Sequence, residues 1–88
     1  MTLKDLLQTA KESFRLYVNL AKDDPLGSSY WNGCLCGVRR MTINSIDRLD
    51  GTISEDETAE AYDTLDEAYD QARKEIDHIY KRAVNSND

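Results

Sequence analysis

The stretch Ser54–Val84, SEDETAEAYDTLDEAYDQARKEIDHIYKRAV, decides the fold, and neither Gly nor Pro interrupts it. Tyr62, Leu65, Tyr69, Ala72, Ile76, Ile79 and Ala83 recur in steps of three and four, the spacing that lays side chains along one stripe of a helix. Ser54 and, three residues later, Glu57 form a capping-box signature, in which each side chain satisfies the other residue's orphan backbone N–H. Acids crowd the first half, and Arg73, Lys74, Lys81 and Arg82 crowd the second, as the helix macrodipole favours. Three independent signals thus predict one long helix near 54–84.

Before it, Gly51 stands where a left-handed helix C-cap belongs, and Ile53 takes the hydrophobic-staple position ahead of Ser54. The connection 50–53 is therefore a tight turn, which sets the preceding helix antiparallel to the long one. That helix is predicted near 28–50, capped by Ser28 or Ser29, with Trp31, Leu35, Val38, Thr42, Ile46 and Leu49 as its core stripe. Gly33 and Gly37 lie inside it, and each interior glycine costs on the order of 1 kcal/mol relative to alanine. The pair predicts that something approaches this backbone closely, either a neighbouring helix or a ligand or partner surface. A membrane GxxxG contact is excluded, because Arg39, Arg40 and Asn44 follow at once.

A first helix is predicted near 2–23. Thr2 and Asp5 make a weaker capping box, and Leu3, Leu7, Ala10, Phe14, Tyr17 and Ala21 form its stripe. Leu6, Leu16, Val18 and Leu20 widen the apolar face, so neighbours on two sides are expected. Asp24-Pro25 and Gly27 end the helix in a loop, since the residue before proline is pushed out of the helical region. The tail 85–88 is expected to fray. The expected fold is all-α: one domain, residues 1–88, a three-helix bundle with a long acidic C-terminal helix. Packed from a short turn, the third helix outruns the second. Its last apolar residues, Ile76, Ile79, Tyr80 and Ala83, are then covered either by the first helix or by a second copy in a homodimer through the C-terminal helix.

Eighty-eight residues with 32% charged and 40% hydrophobic side chains fit a single helix-rich domain. No run is apolar enough to cross a bilayer, and Lys4, Asp5, Lys11 and Glu12 interrupt the segment where a signal peptide is apolar. A cytoplasmic protein is the expectation. Cys34 and Cys36 are the only cysteines; two apart on a helix, they point to nearly opposite sides and should not pair. With one distant histidine, His78, they fall short of a zinc ligand set. Asp77 neighbours His78 but faces away from it along the helix, so no nucleophile–base–orienter set is spelled out. No enzyme activity, cofactor or metal is expected.

The charge of −6 is concentrated rather than spread. Residues 47–70 hold ten acids against Arg48 alone, while the segments on either side are net positive. Asp56, Glu60, Asp63, Glu67 and Asp70 recur at four, three, four and three, which makes one ridge opposite the apolar stripe, broadened by Glu55 and Asp66. The ridge is about 21 Å long. Such a face argues against direct nucleic-acid binding. A row of negative charges at helical spacing instead resembles the phosphates of a nucleic-acid strand, and fits a Lys/Arg channel that ordinarily holds one. The alternative is a solubilising face. Against that, lysines or arginines hardly interleave with the acids, although Glu-to-Lys pairs four apart are what an ordinary exposed helix gains from.

The stretch DGTISEDETAEAYDTLDEAYDQARKEI, within residues 47–76, resembles segments of small acidic helical proteins encoded by bacteriophages and mobile elements, including anti-CRISPR-type inhibitors. The likeness lies in composition and cadence. It implies a non-enzymatic protein that binds and blocks a basic nucleic-acid-handling protein or complex in the host cytoplasm. The partner-binding candidates come from the acidic ridge itself: Asp56, Glu60, Asp63, Asp66, Glu67 and Asp70. A second surface remains open: Tyr30, Trp31, Gly33, Gly37, Arg39 and Arg40, on a self-assembling helical protein that holds a small anionic ligand such as a nucleotide, or on a purely structural interaction module.

Overall fold

Both capping boxes form, and each starts a helix where the sequence places it. Thr2 Oγ1 accepts from the Asp5 N–H and the Asp5 carboxylate accepts from the Thr2 N–H, each at 3.2 Å, opening α1 at Leu3–Asp23. These hydrogen bonds to Thr2 hold the Asp5 carboxyl below its ordinary range. Ser54 Oγ accepts from the Glu57 N–H at 3.1 Å and Glu57 returns the bond at 3.3 Å, opening the 31-residue α3 at Glu55–Asn85. Ser54→Ala should cost about 1 kcal/mol while Ser54→Gly costs only a few tenths, since glycine leaves the cap solvated. Thermal melts of the two variants against the parent check this; a Ser54→Ala chain that melts like the parent would mean the box contributes nothing.

The computed structural model describes residues 2–49 and 51–86, and every regular element among them is helical. The second helix, α2, runs Ser28–Asp47. It is neither capped by Ser28 or Ser29 nor extended to residue 50 as expected. A 3-10 turn, Pro25–Gly27, feeds directly into it, so Ser28 is already helical at φ −55°, ψ −39° and Gly27 takes the N-cap position with no side-chain bond. A cap residue needs extended backbone, which Ser28 does not have. A Cβ at Gly27 would meet the Asp24 carboxylate at 2.7 Å, so that exposed side chain would have to turn aside. At the other end Arg48 caps the helix, and the Thr52 N–H closes a turn onto the Leu49 carbonyl at 2.9 Å. Gly51 sits in that turn at φ +84°, the left-handed region foreseen for it. Asp50, the expected helix end, lies outside the described residues. So do Asn87 and Asp88 of the tail; Asn85 is still helical.

The helices run up, down and up. Asn32 reaches Asp77, Arg39 reaches Asp66 and Tyr62 reaches Asp47, which fixes α2 antiparallel to α3. Arg15 bonds Glu75 at 2.5 Å, and the Phe14 ring lies 6.2 Å from that of Tyr69, so α1 and α3 run parallel. Between the helices sits one apolar core. Phe14, Val18, Leu35, Leu65 and Ile76 are all but fully buried in it, joined by Ala10, Ala21 and Ala72. Ile46 and Ala61 are buried as well.

Three expectations about packing are corrected. Leu65, Ala72 and Ile76 of the expected α3 stripe are buried, but Ala61 rather than Tyr62 joins them: Tyr62 is half-buried, and its hydroxyl donates to Asp47 instead. α1 has neighbours on two sides, α2 and α3, as expected, but Leu16 and Leu20 are not covered by them and stay 55% and 38% exposed. No neighbouring helix approaches Gly33 or Gly37, where an added Cβ would find open space. These glycines lie on the side of α2 facing away from its buried Leu35, Thr42 and Ile46. Within the chain, α1 and the 3-10 turn pack on α3 beyond the reach of α2. Ile76 is 1% exposed and Ile79 packs on the same core, leaving Tyr80 and Val84 each 39% exposed. No helix among the described residues is long and apolar enough to cross a membrane.

Candidate functional site

The outward face of α3 follows from the same periodicity that buries its inner face. Steps of three and four from Asp56 stay on one side of the helix, while Ala61, Leu65, Ala72 and Ile76 face the core half a turn away. Asp56, Glu60, Asp63, Glu67 and Asp70 are all exposed. Among the described residues none of them has a Lys, Arg or His nitrogen within 4.0 Å. A 31-residue helix backed by three-helix packing carries them, so the row is held straight rather than draped along a loop.

Cations border the row without entering it. Lys4 and Lys11 of α1 line a groove with Glu57 and Glu60, and Lys11 with Lys74 lines the next one along, beside Glu67 and Asp70. Asp66 does not belong to the ridge. About a quarter-turn round the helix, it faces α2 and accepts from Arg39 Nε at 2.8 Å. The Arg39 guanidinium also lies 5.6 Å from the centre of the Tyr69 ring. Its bond to Asp66 outweighs desolvation and holds Arg39 still more firmly protonated than usual.

The second candidate surface is divided between inside and outside. Trp31 is half-buried against the core: its indole N–H donates to the Asp24 carbonyl at 3.0 Å and its ring lies 6.3 Å from Tyr17. Arg39 turns toward α3. Tyr30, Gly33, Gly37 and Arg40 face solvent, with Tyr30 66% exposed and edge-on to Trp31 at 4.8 Å. Cys34, one turn along, pushes the Tyr30 phenol up, first through the negative charge its sulfur carries as a thiolate and then through hydrogen bonding to the same sulfur. The two arginines therefore diverge, and no stacked aromatic pair opens beside them to receive a base.

Cross-helix polar pairs were invisible in the sequence because nothing marks which residues meet. Arg15–Glu75 and Asn32–Asp77 stitch α3 to α1 and α2, and the second leaves the buried Asn32 Oδ1 without a partner. Asp47 accepts from the Tyr62 hydroxyl, and this bond raises the Tyr62 phenol. His78 is exposed beside Lys22, Glu75 and Arg82; Cys34 and Cys36 are both free, the first half-buried and the second exposed. Among the described residues no three His, Cys, Asp or Glu side chains gather as a metal ligand set. Compared with protein-family models, curated proteins and solved structures, the chain matches none.

Proposed function

We propose that this is a non-enzymatic binding protein whose α3 ridge occupies a basic, nucleic-acid-binding surface of a partner protein and so blocks it. The observation that carries the reading is the row itself: five exposed carboxylates in register, none ion-paired among the described residues, on one rigid helix. Like charges three and four apart repel along such a helix, and a Lys/Arg surface relieves that repulsion on contact. The likeness of residues 47–76 to acidic anti-CRISPR-type inhibitors points the same way. Asp66 is left out of the contact set, since Arg39 already holds it. For the self-assembling alternative the bare glycine row speaks for contact between copies, while the divergence of Arg39 and Arg40 speaks against an anion held by both.

The test begins with capture of partners from lysate on the immobilised chain, followed by displacement of nucleic acid from whichever protein is captured. Adding the chain should release that nucleic acid, and the affinity should fall steeply as rising salt shortens screening to about 8 Å. Reversing Glu60, Asp63 and Glu67 to Lys should weaken binding at least about tenfold, mainly by slowing association, and leave helix content unchanged. If the triple reversal binds like the parent while Arg40→Ala abolishes binding, the working surface is on α2 and the ridge only keeps the protein soluble.

A further inference from the structure

Exposed apolar side chains gather on the side of the bundle away from α3. Leu26 of the 3-10 turn and Tyr30 and Met41 of α2 are 62%, 66% and 71% exposed, flanked by Leu16 and Leu20 of α1. Between Tyr30 and Met41 the same face of α2 carries Gly33, Cys34 and Gly37, with Arg40 exposed at its edge. Both glycines weaken the helix, and nothing among the described residues packs on them to explain their presence. We propose that this face, centred on Gly37, is the contact of a two-fold symmetric dimer in which α2 packs antiparallel on α2 of a second copy.

The arrangement is self-complementary, as a two-fold contact requires. With the axis through Gly37, residues equally distant on either side of it face one another. Met41, the most exposed apolar side chain of the face, then lies over the bare Gly33 of the second copy, and the reverse contact repeats by symmetry. Tyr30 comes opposite Asn44, a hydrogen-bonding partner for its hydroxyl. Arg48 ends α2 on the same face, while Asp23 and Asp24 are exposed beside its start. Among the described residues none of the three is ion-paired. Antiparallel pairing lays the Arg48 stem across Leu26 and its guanidinium near those carboxylates, twice per dimer. Both α3 ridges point outward, so a chain of charge −6 pairs without opposing its own acids. A stable interface needs roughly 800 Å² from each partner, about an eighth of the chain's 6081 Å². A face about 30 Å long on a bundle 18 Å across is of that order.

Sedimentation equilibrium of the full chain from about 1 µM to about 1 mM should show a monomer–dimer equilibrium. Gly33→Leu, which fills the seat of Met41, should weaken the dimer at least about tenfold without loss of helix, because the new side chain meets open space in the monomer. In a Cys34→Ser/Cys36→Ser background, Gly37→Cys faces itself across the axis and should oxidise to a disulfide dimer with diamide, whereas Glu67→Cys on the ridge should not. A chain that stays monomeric throughout, a dimer indifferent to Gly33→Leu, or cross-linking through Glu67→Cys instead of Gly37→Cys each overturns the proposal. Ridge binding is measured separately, so neither reading depends on the other.

Discussion

Phe14→Ala is expected to lower the unfolding free energy by about 3–5 kcal/mol, the cost of removing a large ring from a site that cannot collapse around the loss. Phe14 is 1% exposed at mid-length of α1, tilted against Tyr69 of α3 and clustered with Leu35, Leu65 and Ile76 from the other two helices. It is the largest side chain that is fully buried. Domains of this size have roughly 5–15 kcal/mol to lose, and each kcal/mol moves the melting point by about 4–8 °C. Urea unfolding followed by helix signal reads the effect directly. Leu16→Ala, two residues along the same helix but 55% exposed, is the control and should stay within about 0.5 kcal/mol. A loss below about 1 kcal/mol for Phe14→Ala would show that α1 is not packed on both other helices as described.

Trp31→Ala should cost about 2–3 kcal/mol, below the cost of a fully buried ring because Trp31 is half-buried. It works at the corner between α1 and α2. Its ring spans Tyr17 and Tyr30, and its indole N–H ties the carbonyl of Asp24, where α1 ends. Trp31→Phe keeps a smaller ring, losing the hydrogen bond and part of the packed area, so it should cost about 1–2 kcal/mol. The pair of variants separates packing from tethering. If Phe costs as much as Ala, the Asp24 bond rather than the ring holds the corner, and Gly27 against Asp24 becomes the place to look.

The long helix, its capping box and its acidic outer row were legible in the sequence because each depends on residues within one or two turns of one another. Ser54 and Glu57, the three-and-four cadence through Leu65 and Ile76, and the run from Asp56 to Asp70 need no partner element to be read. The α1 capping box and the left-handed Gly51 were legible for the same reason. Where sequence and structure parted, a second element had decided. Ser28 failed as a cap because the 3-10 turn before it had already brought its backbone into the helical region. Asp66 left the ridge because α2 presents Arg39 to it. Val18 is buried while Leu16 and Leu20 are not, because α2 and α3 cover only one side of an apolar face that α1 offers more widely. The glycines of α2 show the limit most plainly. Their spacing announced a close approach, but only tertiary packing could show that no helix of this chain makes it, because which faces meet depends on how three helices divide one core.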